Sequence, residues 1–254
     1  MRYTVFSYRR ALLVSTVFGL GILQFAKAGP PFVTDDPEPV EFKHWEIYVA
    51  SQHIQTANGW SGNASYLDLN YGLLSDAHLH LAVPVAYTAP RGGSRHLGLG
   101  DIELGMKIRL IHESEQLPQV GIYPAVEAPT GRSSNSLGNG RAQVFLPLWI
   151  QKSFHEWTIY GGAGYGINPG AGHQNWNFEG VVLQRRVLKN LSLGTEIYHR
   201  SALETDGRAD TAINVGATFD FNENHHLLFS LGRSVDGPTQ HQFYLAYQLT
   251  FGPK

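Results

Sequence analysis

The residues able to do chemistry in this chain are 12 histidines and 21 carboxylates, with no cysteine to add a thiol or a disulfide. His78 and His80 share one face of an extended strand, and His225 and His226 are adjacent. A zinc site needs three or four convergent ligands, and neither spacing supplies them, so no metal and no cofactor is expected. Nucleophilic catalysis would need a serine, a histidine and an orienting group held together, as in a lipase-like barrel with its triad on the outer rim. Serine and histidine are plentiful, yet no spacing assembles them.

What remains is a set of ionisable groups at every second position of otherwise apolar stretches. The set comprises Glu46, Asp68, His78, His80, Asp101, Glu103, Lys107, Arg109, Glu127, Glu196 and Arg200. Mixed signs at close spacing point to ion pairs and hydrogen-bond ladders around a solute path, because an unpaired charge away from water costs roughly several kcal/mol.

The stretches that carry these groups are strands. In 98–111, Ile102, Leu104, Met106, Ile108 and Leu110 oppose Asp101, Glu103, Lys107 and Arg109. In 241–251, Phe243, Leu245, Tyr247, Leu249 and Phe251 make one wholly apolar face, and such period-two alternation is the mark of a strand with two unlike sides. Ten further blocks read the same way: 44–55, 64–73, 78–87, 119–128, 142–153, 157–167, 176–187, 191–200, 209–219 and 225–233. The block 176–187 is ambiguous, because Val181, Leu183 and Val187 share a face with Glu179 and Arg185.

Residues 1–28 read as a secretory signal peptide. Arg2, Arg9 and Arg10 precede an apolar run, and Ala26-Lys27-Ala28 gives the small-x-small cleavage pattern. Its removal leaves 15 basic residues against 21 acidic ones, which argues against nucleic acid as a partner. No later stretch is long enough for a spanning helix, so a membrane protein of this sequence must be a barrel.

Connections alternate between short turns and longer Gly-, Pro- and Asn-rich loops, as in an up-and-down barrel with periplasmic turns and external loops. An even strand count returns both termini to the periplasm. Trp45, Tyr71, Tyr87, Trp157, Tyr165, Trp176, Phe219 and Phe251 fall near strand ends, where an interfacial girdle would sit.

The fold expected is therefore an all-β, transmembrane, up-and-down antiparallel barrel of about 12 strands over 43–254, in the outer membrane of a Gram-negative-type cell. Its partners would be outer-membrane lipid, the barrel-assembly machinery through the C-terminal strand, and a small-molecule solute. The segment 29–42, with four prolines, reads as a periplasmic arm able to fold into the lumen as a plug. Gly162, Gly164 and Gly166 would leave a vacant inner wall for it. Pro84, Pro124 and Pro147 lie inside strands, where each interrupts a ladder and marks a bulge or a lateral gap.

The arm GPPFVTDDPEPVE, the strand GLGDIELGMKIRL (98–110) and EAPTG (127–131) resemble the marks of a family of outer-membrane transporters named for the meta-cleavage pathway of phenol degradation. The resemblance covers most of the chain after the signal. It implies an outer-membrane barrel that admits small, mostly aromatic or hydrophobic compounds, and it carries over no catalytic residue. The function expected is passive transport. A membrane-embedded enzyme or a structural barrel without transport is the alternative.

Overall fold

The computed structural model describes residues 31–253, so the expected signal peptide lies outside the described residues. Fourteen strands make one sheet. They are β1 (Trp45–Thr56), β2 (Gly59–Leu74), β3 (Ala77–Pro90), β4 (His96–Leu99), β5 (Ile102–Ile111), β6 (Gln119–Ile122), β7 (Ala125–Ala128), β8 (Gln143–Phe154), β9 (Trp157–Ile167), β10 (Trp176–Leu188), β11 (Leu191–Arg200), β12 (Asp210–Asp220), β13 (His225–Asp236) and β14 (Gln240–Phe251). β4 and β5 are two halves of one interrupted stave, as are β6 and β7, so the wall has twelve staves.

Neighbours are antiparallel, and the ring closes where β1 meets β14 in unbroken register from Trp45↔Phe251 to Thr56↔Gln240. Among the described residues no helix is long and apolar enough to cross a membrane. Strands do the crossing, and closure leaves no sheet edge to face lipid with unpaired backbone groups.

Alternation sorts the side chains as the sequence predicts. Leu245, Tyr247, Leu193, Ile197, Leu104 and Leu148 are exposed on the outside, while Tyr48, Asp68, His80 and Glu196 are buried inside. On β10 the ambiguity resolves outward for Val181, Leu183 and Val187, together with Glu179 and Arg185, because Phe178, Val182 and Gln184 fill the inner face. Arg185 lies 5.1 Å over the Trp157 ring at the short-turn rim, which lets a cation sit beside lipid at the interface. Trp176 departs from the expected girdle. It shares a face with Phe178 and stacks on Phe145 at 4.9 Å inside the barrel.

The inner face across β8–β11 is a block of aromatic rings. Trp149 meets Phe178 edge-on at 6.0 Å, and Phe178 stacks on Tyr198 at 5.6 Å. The three glycines of β9 exist for these rings and not for the arm. A methyl group on Gly162, Gly164 or Gly166 would fall 2.8, 2.4 or 2.1 Å from Trp149, Phe145 or Trp176 respectively. Glycine here removes the side chain that would collide with its neighbour's ring.

The three prolines sit around the interruptions. Pro84 faces the gap between β4 and β5, where its carbonyl accepts the Gly100 N–H at 2.9 Å. Pro124 separates β6 from β7, with its carbonyl taking the Met106 N–H at 3.1 Å, and Pro147 accepts from Tyr123 at 3.4 Å. The wall is thus stitched across each break by carbonyls of residues that cannot donate. Truncating the hub of the ring block, Trp149→Ala, is expected to destabilise the folded barrel by about 3–5 kcal/mol. The lipid-facing Val181→Ala should stay within about 1 kcal/mol. The urea midpoint of the folded-form gel band measures both.

Candidate functional site: the lumen and its arm

A cavity of about 2010 Å3 occupies the side of the barrel opposite the ring block. Its lining reaches the short-turn rim at Lys189, Asn222 and Glu223, and the long-loop rim at Asn63, Ser136 and His173. Eight of the residues singled out by spacing line it: Glu46, Asp68, His78, His80, Asp101, Glu103, Lys107 and Glu127.

They form linked groups on β1–β7. His80 stands between acids, its Nδ1 2.9 Å from Asn70 Oδ1 and 3.2 Å from Asp68, its Nε2 3.1 Å from Glu103. Asn70 donates to Asp68 at 2.8 Å, and the Tyr123 ring lies edge-on to His80 at 5.5 Å. Glu46 accepts from Tyr48 at 2.8 Å and from Gln248 at 2.6 Å, bridging β1 to β14. Such buried polar networks are tolerated because each charge meets a donor or an opposite charge. Among the described residues no group of three or more His, Cys, Asp or Glu could hold a metal ion.

The other residues singled out do different work. Arg109 and Glu196 hold the arm, Gly162, Gly164 and Gly166 seat rings, and Arg200 lies on the inner face at the outer end of β11 without lining the cavity.

The arm threads the lumen. At the short-turn end it continues the ladder, with Lys43 N–H donating to Gly72 at 2.7 Å and Gly72 N–H to His44 at 2.9 Å. Val40 N–H then donates to His78 Nδ1 at 2.9 Å. Arg109 joins Glu38 at 2.7 Å to Asp76 at 2.9 Å, and its hydrogen bond holds the Asp76 carboxyl below the usual range. Lys107 lies 3.0 Å from Asp35 and 3.7 Å from Asp36. The segment then crosses to the far wall, where Glu196 accepts the Thr34 N–H at 2.5 Å and the Val33 N–H at 3.2 Å. Ser230 donates to the Pro31 carbonyl at 2.6 Å.

The glycines that admit the arm are ones the spacing argument passed over. A methyl on Gly180 would fall 2.0 Å from Thr34 Oγ1, on Gly194 2.8 Å from the Phe32 ring, on Gly121 3.0 Å from Pro37 and on Gly72 1.9 Å from the Glu41 carbonyl. The signal was available, since each occupies an inward position of its strand. It was outshone by the denser GGAGYG run of β9.

Residues 53–251 match the model of the family described as "Putative MetA-pathway of phenol degradation". The chain belongs to this family. No curated protein matches it in sequence. The crystal structure of the COG4313 outer membrane channel from Pseudomonas putida F1 is similar with a TM-score of 0.69 and 21% identity, covering 85% of this chain and 98% of that one. The KdgM porin in complex with disordered oligogalacturonate is similar at 0.57 and 11%, covering 81% and 99%. The NanC porin is similar at 0.56 and 6%, covering 80% and 98%. At these identities the likeness is one of fold, that of outer-membrane barrels.

Within this member of the phenol-degradation family the cavity wall is acidic. Lys107 is neutralised by Asp35, and His80 by Asp68 and Glu103, while Glu127 faces Glu103 across β7 and β5 with no hydrogen bond or ion pair among the described residues. Unbalanced carboxylates in a walled path concentrate cations and repel anions. Under a KCl gradient the reversal potential is expected to favour K+ over Cl− by about threefold or more, and Glu127→Gln should move it toward zero. An anion-selective current would contradict this field.

Proposed function

We propose that the protein is a passive outer-membrane channel for small solutes, aromatic or hydrophobic compounds among them, with the arm 29–42 as its luminal plug. The observation that carries the reading is a cavity lined at both rims of a closed barrel and crossed by a segment fastened at both walls. Membership of a family named for phenol degradation supports the aromatic class, as do Tyr48, Tyr66 and Tyr123 beside carboxylates on the cavity wall, which offer a ring face and an acceptor to a phenolic solute. Similarity to the COG4313 outer membrane channel and to porins supports transport over catalysis. The exposed apolar face of β14, from Phe243 to Phe251, supports recognition of this strand by the barrel-assembly machinery.

The test is conductance of the refolded protein in a planar bilayer, with and without residues 29–41. Removal of the arm is expected to raise the unitary current severalfold, and phenol added to the open form to block it in a concentration-dependent way. Silence of both forms, shown folded by gel mobility, would sink the channel reading.

The plug should also respond to pH. Burial pushes the Asp36 carboxyl up to about 8 against the pull of Lys107, with Asp35 and Glu38 adding repulsion. Undocked, the group returns to the ordinary carboxylate range. The docked arm therefore holds the extra proton between the two values, and docking is favoured below the lower value and lost as pH rises through about 8. Channel opening should increase from pH 6 to pH 9 in the full-length protein, by at most about tenfold per pH unit in the docking constant. The Asp36→Asn variant should flatten that dependence, and an unchanged slope in it would remove Asp36 from the gate.

A further inference from the structure

β4 (His96–Leu99) pairs with β3 on one side only. Toward β8 the stave partners begin lower, at Ile102↔Ala128, so at the outer end of this part of the wall no strand of the described residues covers the other edge of β4. The external loop 129–142 lies there instead, on the luminal side. Leu137, only 6% exposed, packs within 3.3 Å of the point where a methyl on Gly98 would be, and Thr88 Oγ1 donates to the Asn135 carbonyl at 3.2 Å.

One side chain joins the two ends of this loop. Asp101, in the gap between β4 and β5 and 7% exposed, receives the Gly131 N–H on Oδ1 at 2.8 Å and the Asn139 N–H on Oδ2 at 2.6 Å. Among the described residues it makes no ion pair, so its charge is met by backbone donors from both ends of the loop. Thr130 adds a clasp beside it, donating to the Gly100 carbonyl at 2.7 Å and accepting from Ile102 N–H at 3.0 Å. There is no room for a side chain at Gly138, where a methyl would fall 2.3 Å from Asp101 Oδ1. The fastened loop in turn ties the others. Asn139 donates to Asn168 at 3.0 Å, and Asn168 donates to the Leu203 carbonyl at 3.0 Å. Ser133, Ser136, Leu137, Gly138 and Asn139 all line the cavity, so the loop forms part of its outer mouth.

We propose that Asp101 is the positioning residue of the outer mouth: its carboxylate closes the loop 129–142 over the unpaired edge of β4 and thereby sets the bore through which solutes enter. A loop closed by its own two ends keeps a defined shape only while the closing contact holds. Without it the loop and its tie to Asn168 are released together. The bore rests on the channel reading, whereas the docking of the loop does not.

The two are separated by two readouts. The chain has no cysteine, so Leu137→Cys gives a single thiol that is buried when the loop is docked. In folded protein, adding Asp101→Ala is expected to raise its maleimide-labelling rate by about tenfold or more, as follows from losing two charge-assisted hydrogen bonds. Asp101→Asn, which keeps one acceptor, should fall between. In the arm-deleted form Asp101→Ala should raise single-channel conductance and admit larger polyethylene glycols than the parent. An unchanged labelling rate overturns the docking role, and faster labelling with unchanged conductance and size cut-off overturns the bore. If the parent itself carries no current, the channel reading fails while the labelling rates still decide whether Asp101 holds the loop.

Discussion

Lipid offers no hydrogen bond to a peptide group, and the rest of this molecule follows from that. Strands that cross the hydrocarbon must pair on both sides, so the sheet has to close, and it closes along the full length of β1 and β14. Closure then forces every irregularity to be repaired locally. Pro84 and Pro124 cannot donate, and their free carbonyls are used to accept N–H groups from the adjoining staves. Where strand pairing runs out at β4, a loop fastened by Asp101 lies on the inner side. The breaks fall on β3 to β8, one sector of the wall, while β9 to β14 run as whole staves. Both strand breaks are gathered into one arc, while smaller register shifts recur around the ring, as at Ala50/Gln52 and Arg186/Leu188.

The interior is divided as well. Twelve staves enclose more space than their own side chains fill, and rings from β8, β10 and β11, packed onto glycines of β9, fill one part of it. That block stiffens the regular sector. The cavity beside the block is lined from both sectors, by His80, Glu103 and Tyr123 on one and Gln184, Ser192 and Thr218 on the other, and the arm bridges the two. Its acids meet Lys107 and Arg109 on β5, and its backbone meets Glu196 on β11. The barrel thus has a ring-packed part and a wet part.

Much of this was legible in the sequence because period-two alternation survives any fold that has one apolar and one polar side. The inward placement of Asp68, His80, Glu103 and Lys107 followed from it directly. Trp176 was misplaced because an aromatic residue near a strand end satisfies the girdle and the lumen equally, and only the parity it shares with Phe178 decides. The glycines of β9 were misassigned for a related reason. A missing side chain announces a close neighbour but does not name it, and three rings on flanking strands competed for the space with the arm. The gap at Tyr123–Pro124 was invisible to alternation because inward and outward parity continues across it, whereas at Gly100–Asp101 the parity flips, the outward residues changing from Leu97 and Leu99 to Leu104 and Leu110. Non-local contacts such as Arg109 with Glu38 were beyond reach, since spacing shows which residues share a face but not which segment lies against it.

A plug held by charges is physically different from one held by apolar packing. Burying an ion pair costs desolvation that largely offsets its attraction, so the net strength of Lys107 with Asp35 or Arg109 with Glu38 is modest even though the geometry is close. An apolar arm pressed against the ring block would gain with every square ångström removed from water and would have no reason to leave. Here the ring block packs against itself, and the arm passes along its margin, with Thr34 at Gly180 and Phe32 at Gly194. The arm's acids lie instead against the two cations of β5, where the carboxyls of Asp35 and Glu38 stay partly open to water. Specific placement with little net adhesion is what a segment needs if it is to occupy a passage and still be displaced from it.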